Sequence, residues 1–429
     1  MWLSEPMCRL VANAVLAAWV FVSASAGAEE TAGGATMGTT WTARWHGTSP
    51  GTDPVPSELV SDELHRILER VNRLMSNWRD DSEVSRFNAS SSTDWFEVSP
   101  ETARVVSRAL EISAASDGAF DVTVSPLVQL WGFGSRGPRA EAPGAAQLEA
   151  ARRLVGFHKL TVRARPPAIR KADPGVTIDL SAIAKGYAVD LLGEYLESVF
   201  VSGYLVEVGG ETRVKGSRPD GAAWRIGIEQ PVAGLRRVRS VLSLGGPRRG
   251  VATSGDYRNR RTVAGRVVSH TLDPRSGRPI EHALAAVTVV AADCMTADAW
   301  ATALMVLGPE QGLAVAKQHR VAALLLSREG TAIREQSTDE YRAIESESAG
   351  GGWWGTWLPV LVLVSLAVAG LSAGVLLRGR ALVGSCGGLA LMCRSRDDPL
   401  CAACGVPGVA DEDAGIAEAV EVVSDGAKS

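Results

Sequence analysis

Residues 178–187 read IDLSAIAKGY. The apolar run at 176–180 predicts a strand, and the residues that follow a short turn predict a helix over 184–198. A turn at a helix N-terminus presents free main-chain N–H groups that favour anions, and Lys185 would add a positive charge for a phosphate. The alternative is that Ser181 only caps the helix and that Lys185 is solvated.

Patterns on both sides of this stretch predict an α+β body over residues 29–345. Helical patterns cover residues 58–75, 100–116 and 295–307. Short alternating or apolar runs predict strands at 36–45, 204–208, 224–228 and 287–291. The strands cluster in the middle and later parts of the body, which indicates an α+β fold.

The overall charge excludes one class of partner. The 429 residues include 44 Lys and Arg against 48 Asp and Glu, a formal net charge of −4. This balance gives no electrostatic case for nucleic acid, because binding of a polyanion calls for a basic surface. We therefore expect no nucleic-acid partner.

A second candidate site lies in the helix predicted at 295–307. Asp298 and Thr302 are four residues apart, so on a helix their side chains share one face. A carboxylate and a hydroxyl are hard oxygen ligands that suit Mg²⁺, which also takes phosphate oxygens of a substrate. The alternative is that Asp298 interacts only with the helix dipole and that Thr302 bonds back to its own helix.

Two further stretches place polar residues where a ligand could meet them. His270 stands where a strand pattern gives way to an Asp-Pro turn; it could act as acid, base or hydrogen-bond partner, or have a structural role only. Residues 118–126 read GAFDVTVSP. Their apolar side chains could be core or could wall a flat aromatic ligand, with Asp121 bonding its polar edge.

The N-terminus has the features of an export signal. Arg9 precedes the apolar run 10–22, and small residues follow it up to residue 28. This order is typical of a cleavable signal peptide over residues 1–28. An uncleaved membrane anchor is the alternative, although the run is short for a full span.

A second apolar stretch, residues 358–377, contains no charge and is long enough to cross a bilayer. Tryptophans precede it, and Arg378 and Arg380 follow it and mark the cytoplasmic side. A buried core helix is the alternative. With a linker at 346–357, the pattern predicts a single-pass inner-membrane protein whose body is periplasmic and whose tail, residues 378–429, is cytoplasmic.

Cysteine placement differs between the body and the tail. The predicted body contains only Cys294, so a disulfide framework is not expected there. The tail contains Cys386, Cys393, Cys401 and Cys404. Clustered thiols in a reducing compartment suggest a metal or redox role.

Taken together and in this order, segments of the body resemble the ApbE family of FAD:protein FMN transferases. The likeness covers roughly residues 36–335 and rests on segments 36–39, 75–83, 118–121, 179–187, 206–211, 252–257, 269–277 and 297–304. It implies a two-lobed α+β flavin transferase domain. Such an enzyme transfers FMN from FAD to a Ser or Thr of a target protein and releases AMP.

The resemblance also implies roles for matching positions. FAD would be bound by Met37, Trp78, Ala119, Phe120, Asp121, Asp179, Lys185 and Leu272, with Trp78 in place of the more usual Tyr. Mg²⁺ would be bound by Asp298, Thr302 and the backbone carbonyl of Ala182. His270 would be the catalytic side chain.

The tail resembles NqrM, a small membrane protein that helps to mature the sodium-pumping NADH:quinone reductase through its iron centre. The likeness rests on Arg378-Gly379-Arg380, on residues 384–389 and on the later cysteines, whose spacing departs from the family pattern. It implies iron on the tail cysteines. Because that reductase carries covalent FMN on Thr, its flavin-acceptor subunits are the expected partners.

Two other functions stay open at this point. One is an FAD pyrophosphatase, in which water takes the place of the acceptor hydroxyl. The other is a non-enzymatic assembly factor that binds flavin or delivers iron.

Overall fold

The computed structural model describes residues 29–49, 51–139, 141–232, 237–256, 260–263, 266–350 and 360–366. The predicted signal peptide, the tail cysteines and most of the predicted span at 358–377 lie outside these residues. Residues 360–366 are helical. Among the described residues, no helix combines the length and the hydropathy that a membrane span requires.

The strands of the body are mostly short. They are β1 (Glu30–Thr36), β2 (Thr39–Thr48), β3 (Phe96–Glu97), β4 (Leu160–Ala164), β5 (Pro167–Lys171), β6 (Val201–Val208), β7 (Glu211–Gly216), β8 (Trp224–Glu229), β9 (Val238–Leu244), β10 (Gly246–Gly255), β11 (Arg260–Val263), β12 (Arg266–Ser269), β13 (Leu272–Asp273), β14 (Arg278–Pro279), β15 (Leu284–Ala291), β16 (Ala322–Glu329) and β17 (Ala332–Ser337).

The helices vary from one and a half to seven turns. They are α1 (Ser57–Met75), α2 (Glu83–Ala89), α3 (Pro100–Ala115), α4 (Ser125–Leu130), α5 (Ala145–Arg152), α6 (Ala184–Ser198), α7 (Cys294–Gln318) and α8 (Asp339–Gly350). Short 3-10 helices occur at Val122–Val124 and Phe157–Lys159. The helix α8 continues to Gly350, so regular structure extends into the segment expected to be a linker.

An eight-stranded antiparallel sheet forms the centre of the body, in the order β1-β2-β6-β7-β10-β15-β16-β17. Successive side chains of a strand point to opposite faces, and in β15 both faces are buried. Val287 and Val289 face the core formed with α1, α6 and α7, whereas Ala286 and Val290 face a second core beneath α8 and the β8–β9 hairpin. The predicted α+β class is confirmed; the division into two lobes stays a prediction.

Most predicted helices appear within a residue or two of their expected bounds. The predicted helix end at 307 is confirmed by a break inside α7: Gly308 has φ 79° and ψ −177°, outside the helical region, and Pro309 follows it. A positive φ of this kind favours glycine because it has no Cβ.

The strand predicted at 176–180 is wrong. Ile178 and Leu180 are fully buried, but the segment belongs to no ladder among the described strands. Asn88 replaces a neighbouring strand: Ile178 N–H donates to Asn88 Oδ1 at 2.7 Å, and Asn88 Nδ2 donates to the carbonyl of Ile178 at 2.8 Å. Asp179 N–H donates to the carbonyl of Val122 at 2.7 Å. The apolar pattern of residues 176–180 therefore reflects burial of the segment and not pairing with a neighbouring strand.

Candidate active site

A cavity of about 810 Å³ lies where the first turn of α6, the first half of α7 and the β6–β7 hairpin meet. Most of the predicted site residues line it: Met37, Ala119, Phe120, Asp121, Asp179, Ala182, Lys185, His270, Leu272, Asp298 and Thr302. Trp78 does not line it, and its side chain is 69% exposed. The cysteines at 386, 393, 401 and 404 lie outside the described residues.

A cluster of three charged side chains forms the polar end of the cavity. Lys185 Nζ lies 2.8 Å from Glu211 Oε1 and 3.7 Å from Asp298 Oδ2. The Lys185 side chain is 27% exposed, whereas those of Glu211 and Asp298 are 7% and 4% exposed. One ammonium group therefore faces two nearly buried carboxylates.

The two buried carboxylates share a single positive charge, that of Lys185. Burial raises the pKa of Glu211 to about 7, because the attraction of Lys185 offsets only part of the desolvation cost. Burial also raises the pKa of Asp298. For Lys185, burial lowers the pKa, but the two carboxylates outweigh burial and the net shift is upward. The cluster thus favours an added cation.

The donor atoms of this end suit a hard cation. Asp298 and Thr302 lie one turn apart on α7, and Thr302 Oγ1 is 3.0 Å from Ser254 Oγ. Ala182 lies in the turn before α6, and the main-chain N–H of Gly186 donates to Asp298 Oδ2 at 3.1 Å. Within the described ranges, no group of three or more His, Cys, Asp or Glu could hold a metal, so an ion here would need hydroxyl and carbonyl oxygens as well.

Sequence reasoning assigned no role to Glu211, although the segment 206–211 carries the family resemblance. Glu211 begins β7 directly after two glycines with positive φ, which turn the chain back towards Lys185. Its Oε2 atom is buried without a hydrogen-bond partner among the described residues. A Gly-Gly-Glu turn next to a predicted strand was the available signal, but only the three-dimensional contact with Lys185 reveals its use.

The cavity wall also includes apolar side chains. Phe120 and Leu272 are buried side chains on its wall, and Met37 lies in the β1–β2 turn with φ 48°. His270 follows β12 directly and also lines the cavity. The strand predicted before His270 is therefore confirmed, but the short strand β13 separates His270 from the Asp-Pro turn.

Asp121 sits beside this wall and is held entirely by protein donors. Its Oδ1 accepts hydrogen bonds from the main-chain N–H of Thr123 at 2.8 Å and from the Thr123 hydroxyl at 2.6 Å. Its Oδ2 accepts from the main-chain N–H of Phe157 at 2.7 Å. Burial raises the pKa of Asp121, although these hydrogen bonds oppose the shift.

We expect Asp121→Asn to destabilise the protein by about 1–3 kcal/mol, because the new amide would turn an N–H group towards Thr123 or Phe157 donors. Urea unfolding of both proteins measures the difference. Asp179→Asn is the matched control: Asp179 is half-buried and accepts from Ser181 N–H at 2.9 Å, so its stability should change by less than about 0.5 kcal/mol. Equal losses in the two variants would contradict this assignment.

The fold and the cavity define a mixed α/β protein with an apolar wall, an ammonium group and hard oxygen donors at one site. The model of the ApbE family matches residues 37–325, and the chain belongs to this family.

Similar proteins and solved structures support the same family assignment. A FAD:protein FMN transferase of Vibrio cholerae is 40% identical over 314 residues, which are 73% of this chain and 92% of the relative. One of Escherichia coli K12 is 37% identical over 312 residues, 72% of this chain and 87% of the relative. The structure of the flavin transferase ApbE from Vibrio cholerae has a TM-score of 0.67 at 39% identity, covering 74% of this chain and 99% of that chain. That of the Pseudomonas stutzeri flavinyl transferase ApbE, apo form, has a TM-score of 0.67 at 41% identity, covering 74% and 97%.

Proposed function

We propose that this chain is an FAD:protein FMN transferase that uses Mg²⁺ to cleave FAD and to attach FMN to a Ser or Thr of another protein. The observation that carries the proposal is the meeting of Lys185, Asp298 and Thr302 in one cavity whose wall also includes apolar side chains. The names of the relatives at 37–40% identity support it.

The residues of the charged cluster would have two roles, to bind Mg²⁺ and to bind phosphate. Asp298, Thr302 and the carbonyl of Ala182 would hold Mg²⁺, and the unpartnered Glu211 Oε2 supports a further positive charge nearby. Bound Mg²⁺ supplies neutralisation of charge on phosphate oxygens. Lys185 holds the same phosphates from the α6 side while its carboxylate partners keep it charged.

The reaction is a phosphoryl transfer in which positioning does much of the work. The acceptor hydroxyl oxygen forms a bond to the FMN phosphorus, and the bond from that phosphorus to the bridging oxygen breaks, so AMP leaves with the bridging oxygen. His270 lines the cavity and takes the proton of the hydroxyl. Phe120, Ala119, Met37 and Leu272 wall the flavin ring, with Asp121 and Asp179 beside its polar groups. Trp78, exposed outside the cavity lining, would have to approach the flavin once FAD is bound.

We propose a sodium-pumping NADH:quinone reductase as the client, with its flavin-acceptor subunits as partners. The support comes from the ends of the chain. With a signal-like segment at 1–28 and an apolar stretch at 358–377, the body would be periplasmic, and the cysteines of 378–429 would hold iron on the cytoplasmic side. A flavin-attaching body and an iron-handling tail would then serve one complex.

The test is incubation of the full chain with FAD, Mg²⁺ and a candidate acceptor subunit, followed by mass spectrometry of that subunit. Addition of the mass of FMN, with AMP released in equal amount, supports the transferase. FMN and AMP without protein-bound flavin would establish a pyrophosphatase instead. In cells that lack the native protein, full client maturation by Asp298→Ala would favour a non-enzymatic assembly factor.

A further inference from the structure

A second network of polar and charged side chains, most of them buried, lies outside the cavity lining, between α6, β6 and β7. Its members are Asp190, Glu197, Tyr204 and Arg213. Arg213 and Asp190 are 2% and 4% exposed, and charged side chains are rarely buried to this extent unless they are paired.

Asp190 binds the first turn of another helix. Its Oδ1 accepts from the main-chain N–H of Cys294 at 2.9 Å, and its Oδ2 accepts from that of Met295 at 2.8 Å. The first N–H groups of a helix have no partner within it. In α7, the side chain of Asp293 caps only the third of these groups, since its Oδ1 accepts from Thr296 N–H at 2.8 Å. Asp190 therefore supplies from α6 the two acceptors that the first turn of α7 lacks.

Arg213 fixes the orientation of that carboxylate. Its Nη1 donates to Asp190 Oδ1 at 2.9 Å and its Nη2 to Glu197 Oε1 at 2.8 Å. Its Nε donates to the hydroxyl of Tyr204 at 3.0 Å. A planar guanidinium held at three points cannot rotate without breaking a contact.

The same turn of α7 meets main chain on two other sides. A Cβ added to Gly186 would lie 2.4 Å from the carbonyl oxygen of Cys294, and one added to Gly250 would lie 2.4 Å from Cys294 N. The first turns of α6 and α7 thus touch with no side chain between them. A displacement of the first turn of α7 would move Asp298 and Thr302, which follow on the same helix, relative to Lys185.

We propose that Asp190 and Arg213 are positioning residues for flavin transfer: they fix the first turn of α7 against α6, so that Asp298 and Thr302 face Lys185. The inference rests on the proposed function, which it deepens. Groups that orient metal ligands without touching the metal commonly change affinity or rate by about 10- to 100-fold when replaced.

The test compares Asp190→Asn with wild type in the full chain. Asn keeps the shape but turns an amide N–H group towards the N–H of Cys294 or Met295. We expect the Kd for Mg²⁺ alone, measured by titration calorimetry, to rise at least about tenfold, with kcat lowered by about 10- to 100-fold. The KM for FAD should change less than threefold, because the flavin wall does not involve α7's first turn. Glu194→Gln is the control: Glu194 lies on the same helix but outside this network, with a 42% exposed side chain paired with Arg104 at 3.5 Å, and the Kd of this variant should stay within threefold of wild type.

A folded Asp190→Asn protein with wild-type Kd and kcat would overturn the inference, as would equal effects of Glu194→Gln. If Asp190→Asn does not fold, Arg213→Lys decides: its ammonium keeps the charge but loses the three-point contact, so a weaker Mg²⁺ affinity is expected, and wild-type affinity would refute the inference. A wild-type chain that binds Mg²⁺ and cleaves FAD but never flavinylates an acceptor refutes only the proposed transferase, since the same comparison holds for AMP release.

Discussion

Asp298→Asn should reduce FMN transfer by about 100- to 1,000-fold while leaving the protein folded, because the neutral amide would bind the proposed Mg²⁺ more weakly and less positive charge would be held where the leaving group gains negative charge. The measurement is the rate of covalent flavin incorporation into the acceptor at saturating FAD. Raising the Mg²⁺ concentration should restore part of the rate if the weakened step is metal binding.

The stability of this variant should stay the same or increase, although its activity falls. Burial raises the pKa of Asp298, so its ionisation costs more in the folded, metal-free protein than in the unfolded chain. A carboxyl with a raised folded pKa lowers stability as pH rises above its unfolded value near 4, and the amide removes that penalty. In EDTA at pH 8, the Tm of Asp298→Asn should equal or exceed that of wild type, and the difference should shrink towards pH 5.

Asp293→Asn is the matched control for Asp298→Asn. It removes an acid from the same helix five residues earlier, and Asn is as good an N-cap as Asp. We expect transfer within about twofold of wild type. A comparable loss in both variants would show that general charge on α7, not the site at Asp298, controls the reaction.

Lys185→Met should produce the second large effect, a loss of about 3 kcal/mol of stability together with loss of transfer, because it leaves Glu211 and Asp298 buried without their cation. The pH dependence follows from the same charges. Burial already raises the pKa of Glu211 to about 7, so in the variant both carboxyls bind protons readily. The stability deficit should therefore shrink as pH falls from 8 to 5, as measured by urea unfolding.

A second substitution separates charge from packing in this prediction. Glu211→Gln alone should be close to wild type in stability, and adding it to Lys185→Met should recover about 2 kcal/mol, because one of the two uncompensated charges is gone. Transfer should stay lost in the double variant. No recovery in the double variant would mean that the lysine stem, not its charge, stabilises the cluster.

Local sequence patterns were enough to predict several elements and part of the cavity. The helices α1, α3 and α6 follow from apolar spacing, and the juxtaposition of Asp298 with Thr302 follows from helical periodicity alone. That Lys185 meets Asp298 was expected only through the family resemblance, because no local pattern connects residues more than a hundred positions apart.

The predictions from sequence were wrong or incomplete where a side chain from a distant part of the chain bonds to the main chain. The segment around Ile178 looks like a strand, but the side chain of Asn88, ninety residues earlier, satisfies its main chain. Asp190 looks like an ordinary polar residue of a helix, but it caps a different helix. Both are side-chain to main-chain bonds over long separations, which periodicity does not encode.

The close packing around the first turn of α7 also has a consequence for thiol chemistry. Cys294 is the one cysteine among the described residues; it is fully buried, and burial first, then the nearby carboxylates, raises its pKa well above the ordinary value. A thiol that stays protonated and out of reach reacts slowly with oxidants and alkylating reagents. The described body therefore presents no ready target for disulfide exchange, and a cysteine introduced on its surface could carry a spectroscopic label selectively once the thiols outside the body are replaced.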